Sequence, residues 1–198
     1  MNQPLLTIQI PYTKDRMREK DLLESEFQRQ ISVFGLHDLI HIQIDGRGKE
    51  VPIGQKRNDL YQLALGKYVV QWDSDDWIAA DGLYWIIEAC KKDVDVVTYK
   101  ELCVMNGIVK QSDHSLFYNK WEDNFNGWDF VRTPFFKNPI RTEIAKQVQV
   151  PPIRFNEDEQ FSYAIKPLLQ TEHDIDQFIY HYIYSPKDTH EERYGLNK

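Results

Sequence analysis

Apolar and polar positions follow two periods along the first hundred residues. Leu5-Leu6-Thr7-Ile8-Gln9-Ile10 is a short apolar run stopped by Pro11, which predicts a strand. The charged stretch after it sets Leu22, Leu23, Phe27, Gln30 and Ile31 at helical spacing, which predicts an amphipathic helix over 15–31. Leu39-Ile40-His41-Ile42-Gln43-Ile44 predicts a second strand ending in Asp45, and the glycine- and charge-rich residues 46–51 a loop. Residues 54–65 read as a helix that Gly66 ends, 67–72 as a strand running into Asp73, 81–90 as a helix and 95–99 as a fourth strand. Alternation of strand and helix predicts crossover connections and a mostly parallel sheet. Ligands of such sheets gather at the carboxyl ends of strands, where Asp45 and Asp73 to Asp76 fall.

The pattern then changes. Val104-Met105-Asn106-Gly107-Ile108-Val109 places Asn-Gly between apolar flanks, a hairpin signal. Residues 121–127 read as an irregular aromatic loop, 140–148 as a short helix, 156–168 as a helix capped by Asn156 with acidic residues in its first turn, and 178–184 as a late strand. No internal repeat or low-complexity linker interrupts the chain. The expected architecture is one α/β domain over 1–198, with a Rossmann-like half over 1–100 and a mixed half over 101–198.

Composition narrows the classes. At 198 residues, with 41% hydrophobic and 28% charged residues, the chain suits one globular domain with its own core. No apolar run approaches the roughly 18 residues of a membrane span. Met1-Asn2-Gln3-Pro4 lacks the features of a secretory signal. Cys90 and Cys103 form neither a disulfide framework nor a zinc spacing. A cytoplasmic location is the expectation. The net charge of −7 disfavours polyanions outside a local basic patch. Gly46-Arg47-Gly48-Lys49 with Lys56-Arg57 is such a patch, and it equally suits a small diphosphate.

The acidic turn Asp73-Ser74-Asp75-Asp76 carries the clearest chemistry. Magnesium and manganese take oxygen ligands and are typically held by one or two carboxylates plus the phosphates of a substrate. Alone, Asp-Xaa-Asp reads more readily as a helix cap and solvated turn than as a metal site.

Its context is an ordered set of motifs: Ile10-Pro11-Tyr12-Thr13 after the first strand, Asp45 after the second, then Gly54, Arg57-Asn58, Ala64, Gly66, Tyr68 and the acidic turn. Asn138-Pro139-Ile140-Arg141-Thr142-Glu143-Ile144 and Asn156-Glu157-Asp158-Glu159-Gln160-Phe161 follow in the second half. In this order the chain resembles, over roughly residues 5 to 165, a nucleotide-sugar glycosyltransferase of the GT-A fold, of the inverting family-2 type. It departs from that pattern where Asp45 is followed by Gly46-Arg47-Gly48-Lys49 instead of a serine-rich turn, and where Lys14 or Asp15 replaces the usual Asn.

The resemblance implies a UDP-sugar donor and a Mn2+ or Mg2+ ion at Asp75, with Asp73 against the ribose or a water of the metal. Pro11, Tyr12, Thr13, Asp45, Arg57, Asn58 and Ser74 are implied on the donor, Arg57 as a phosphate partner. Asp158 is the implied general base, with Glu157 as competitor and helix-dipole stabilisation as the plain alternative for both. His190 is a candidate further metal ligand. Trp121 and Trp128 are candidate acceptor-side rings, with Asp76 beside them; Trp72, inside a strand, reads as core and His181 as structural. The acceptor is expected to be a glycan, a lipid-linked saccharide or a hydroxylated base in DNA. A sugar- or nucleotide-binding module without catalysis and a metal-dependent nucleotidyltransferase are the competing classes.

Overall fold

A computed structural model describes residues 3–153 and 155–184. The first half follows the period of its sequence: β1 (Leu6–Pro11), α1 (Met17–Phe34), β2 (Ile40–Asp45), α2 (Ile53–Leu63), β3 (Tyr68–Gln71), the short β4 (Trp77–Ile78), and α3 (Gly82–Cys90). The second half holds β5 (Val96–Met105), β6 (Ile108–His114), β7 (Glu122–Phe125), β8 (Trp128–Arg132), β9 (Ile140–Arg141), α4 (Thr142–Ala145), α5 (Glu157–Ile165) and β10 (Glu172–Tyr184).

All the strands join one sheet whose main path runs β2-β1-β3-β9-β5-β6-β8-β7. β1 pairs in parallel with both β2 and β3. β9 lies antiparallel to β3 and to β5, so β5 keeps the direction of β3 across it. β10 runs parallel along β5. The expected parallel arrangement therefore holds across β2, β1, β3 and β5, and antiparallel pairs give the second half its mixed character.

Side-chain alternation explains the two cores. Tyr68, Val70 and Val97 face a cluster with Leu23 and Phe27 of α1 and Leu83, Ile86 and Ile87 of α3. Val69 and Val96 face the other way, onto Tyr61 of α2, Ile144 and Ala145 of α4, and Phe161 and Ile165 of α5. A sheet covered on both faces accounts for its continuous apolar runs. Trp72 is fully buried and stacks on Tyr180 with centroids 4.4 Å apart. No helix of the described residues is long and apolar enough to cross a membrane.

Several elements differ from expectation. Residues 121–127 are not an irregular loop: β7 turns into β8 through Asn126 and Gly127, whose φ angles of 54° and 83° match the 53° and 78° of Asn106 and Gly107. Both turns use two left-handed residues, which suits the twist of a tight hairpin. The helix expected over 140–148 is instead one strand pair and one helical turn, because Ile140 fills the gap between Val69 and Val96 and Thr142 donates its hydroxyl proton to the Gly66 carbonyl at 2.6 Å. Asn156 does precede α5, but in a left-handed conformation (φ 62°) and without a side-chain capping bond. Gly66 lies beyond the end of α2, and its role is close approach, since a Cβ there would fall 2.6 Å from the Thr7 nitrogen.

Candidate active site

Two clefts open at the carboxyl ends of β1, β2 and β3, and Asp73 lines both. The first, about 230 Å³, lies between the β1 end and the start of α2. Pro11, Tyr12, Thr13, Lys56, Ser74 and Asp75 line it. The second, about 320 Å³, runs from Arg57 to Glu157 and Asp158, past Trp121 and over the buried Glu101 and Lys137.

Arg57 lines the second cleft and holds Asp73, the residue the two clefts share. It is 2% exposed, packed with its guanidinium carbon 3.5 Å from the centre of the Phe136 ring. It donates to Asp73 Oδ1 at 2.7 Å and to Gln71 Oε1 at 3.4 Å, and its Nε lies 3.7 Å from Glu157 Oε1. A surface position for this arginine is therefore ruled out. Burial raises the Asp73 pKa, but Arg57 and Lys137 outweigh it and hold the carboxyl below its ordinary value.

The segment before α5 is gripped by α2. Asn58 donates to the Val150 carbonyl and accepts from the Val150 amide, both at 2.7 Å. A Cβ on Gly54 would fall 1.8 Å from the Pro151 carbonyl oxygen, so only glycine lets that segment pass. The Gly54, Arg57 and Asn58 positions thus dock the start of α5 against the acidic turn. Asp158 lines the second cleft half-exposed, and its Oδ1 accepts the Glu159 amide at 2.9 Å.

Beneath the turn lies a buried cluster of ionisable side chains, Asp76, Lys137, Glu101 and His114. Asp76 is 2% exposed, accepts from the Tyr180 hydroxyl and, at 2.8 Å, from the Ile183 amide, and lies 3.5 Å from Lys137 Nζ. Lys137 sits over the rings of Tyr180 and Tyr182, 3.4 Å from Glu101, whose other oxygen is 3.1 Å from His114 Nε2. Burial opposes ionisation of Glu101, yet Lys137 and His114 pull its pKa down to about 2.

Asp76 and Glu157 behave in the opposite sense. Burial pushes both up to about 7, with Asp73 adding to Asp76 and Asp158 to Glu157, against Lys137 and Arg57 respectively. A raised folded-state carboxyl binds more protons than its unfolded form, so its stabilisation is complete below the unfolded value and lost as pH rises through about 7. Glu157→Gln is expected to remove a decline in stability between pH 5 and 8 on the order of 3 kcal/mol. Melting temperatures of both proteins across that range check it: the wild type falls more steeply, and parallel curves would contradict the assignment.

The remaining expected residues are placed as follows. Asp75 pairs with Arg16 at the first cleft. Asp45 is 9% exposed and held by Arg47, whose Nε donates to both carboxylate oxygens at 3.0 and 2.9 Å. Trp121 lines the second cleft, its indole N–H directed at Thr133 and Ser162, whereas Trp128 stands on β8 near Phe178. Asp76 lines neither cleft. His190 lies outside the described residues. Lys137, Glu101 and Arg16 were not singled out from the sequence, and Lys56 only as part of the basic patch suited to a diphosphate.

Among the described residues, no group of three or more His, Cys, Asp and Glu side chains converges to hold a metal ion. The carboxylates of Asp73 and Asp75 on one cleft wall nonetheless fit a hard cation whose remaining ligands come from a substrate phosphate and water.

No protein-family model and no curated protein sequence matches the chain. Solved structures do. TarS of S. aureus superposes with a TM-score of 0.62 at 15% identity, over 94% of this chain and 38% of that one. TarS 1–349 in complex with UDP-GlcNAc gives 0.63 at 17% identity, over 91% and 59%. GalNAc-T7 with UDP, GalNAc and Mn2+ gives 0.52 at 13% identity, over 93% and 44%. The chain thus spans from about two fifths to three fifths of the length of these structures. It has the GT-A-like α/β fold of these structures.

Proposed function

We propose that the chain transfers a sugar from a nucleoside diphosphate donor, a UDP-sugar, to an acceptor hydroxyl with inversion. The observation that carries this reading is the meeting of the two clefts at Asp73, with an acidic turn on one side and the Glu157-Asp158 pair on the other. The neighbours TarS and GalNAc-T7, solved with UDP-GlcNAc and with UDP, GalNAc and Mn2+, support the donor class. The half over 1–100 holds the donor, and the half over 101–198 faces the acceptor and supplies the base.

In this reading the nucleoside diphosphate lies in the first cleft against Tyr12, Thr13 and Ser74, and the sugar projects past Asp73 into the second. Asp75, with Asp73 beside it, would hold Mn2+ or Mg2+, which when bound neutralises charge on the departing diphosphate. Arg57 keeps Asp73 ionised and in place. Asp158, open to the second cleft, takes the proton of the acceptor hydroxyl as its oxygen attacks the anomeric carbon from the face opposite the diphosphate. Glu157, turned inward onto Arg57, positions the guanidinium. Trp121 offers an aromatic face to a saccharide acceptor.

Asp75 is half-exposed, so its removal leaves the core intact. Asp75→Ala is expected to abolish release of UDP from a UDP-sugar in the presence of manganese, with an unchanged melting temperature. Undiminished turnover would contradict the metal role. Tight UDP binding by the wild type without turnover of any donor would instead favour a binding module.

A further inference from the structure

The floor of the donor cleft carries a cation that the proposed reaction leaves without a task. Lys56 is 2% exposed and lines the cleft beside Tyr12. Its ammonium donates to the Tyr12 carbonyl at 3.2 Å and to the Arg47 carbonyl, which joins the end of β1 to the loop after β2. An ammonium has three N–H donors. Two are satisfied here, and none of the described carboxylates forms an ion pair with it. Burial pushes its pKa down, with the charges of Asp45 and Arg47 acting on it in opposite senses. A buried donor without an acceptor is unfavourable, so a ligand oxygen at this point would be held strongly.

The acceptor group that the resemblance places here is withdrawn. Asp45 receives the fork and the backbone amide of Arg47, whose other arm reaches Asp59 at 2.7 Å, and Asp45 does not line the cleft. What the cleft offers at this end is the Tyr12 side chain, the apolar Val51, Pro52 and Ile53, and the Lys56 ammonium. An aromatic ring, three apolar side chains and one buried donor together suit a ring that presents a carbonyl oxygen.

We propose that Lys56 reads the base of the donor: its third N–H donates to a carbonyl oxygen of a uracil-type ring held among Tyr12, Val51, Pro52 and Ile53, and adenine, which has no carbonyl, is rejected. This rests on the donor-cleft reading above and names its base. A site built to hydrogen-bond a ligand group discriminates against the analogue that lacks it, because the buried donor is then left unpaired.

Calorimetric titration of the wild type and Lys56→Met with UDP, ADP and inorganic pyrophosphate, all with manganese, tests it. The wild type is expected to bind UDP at least about tenfold more tightly than ADP. In Lys56→Met the UDP affinity falls about tenfold, while ADP and pyrophosphate stay within about twofold, which also shows that the cleft has survived. Equal wild-type affinity for UDP and ADP overturns the proposal, whether or not the variant folds. Equal losses of UDP and ADP, or no loss of UDP, also overturn it. A wild type that binds neither nucleotide overturns the donor-cleft reading itself.

Discussion

Asp158→Asn is expected to lower turnover about a thousandfold while nucleotide affinity stays within about twofold, since a positioned base typically contributes two to four orders of magnitude. The asparagine keeps the side-chain oxygen that accepts the Glu159 amide, so the first turn of α5 persists. What disappears is the capacity to take a proton at the mouth of the second cleft. Glu157→Gln is expected to reduce turnover less, and to act through Arg57 instead of through the proton. Single-turnover rates across pH 5 to 9 for both variants separate the roles. A mild Asp158→Asn with a severe Glu157→Gln would move the base to Glu157, whose pKa near 7 suits it chemically.

Arg57→Met is expected to be the most destabilising single change at the site. The guanidinium is 3% exposed, between Asp73 and Glu157, and its loss leaves two carboxylates facing each other without their shared cation. Breaking a buried pair from one side typically costs 3–5 kcal/mol. Here about 3 kcal/mol is expected, because the Asp73 side chain keeps 27% of its exposure and water screens part of the loss. For a chain of this size that lowers the melting temperature by roughly 6–12 °C. Arg57→Lys recovers only part of it, since an ammonium lacks the planar fork whose separate nitrogens reach Asp73 and Gln71 and cannot lie flat on Phe136. A shift below about 2 °C would show that Arg57 is not the centre of the site.

The first half of the fold and most of the candidate site were legible because strong periods mark them. Strands buried on both faces read as apolar runs, α1 carries its stripe, and the acidic turn follows the third strand directly. The second half was less legible for local reasons. Asn126-Gly127 carries the same turn chemistry as Asn106-Gly107, but Glu122-Asp123-Asn124 before it are three polar residues in a row, so strand period is absent. β9 is two residues long and exists only because β3 and β5 leave a gap for Ile140. Burial of charge was the other blind spot: Lys56, Arg57, Glu101 and Lys137 look like surface residues in sequence and are all nearly sealed in the fold. Their partners are distant in the chain, 36 residues for Lys137 and Glu101, and no spacing rule connects them.

The central claim is that the first cleft holds the donor and the second receives its sugar. Soaking crystals of the chain with UDP and manganese tests it most directly. The account predicts density for the nucleotide along Tyr12 and Lys56, with its diphosphate beside Asp75 and its terminal phosphate directed past Asp73 toward Asp158. Nucleotide bound elsewhere on the molecule, or a diphosphate directed away from Asp73 and α5, would contradict it.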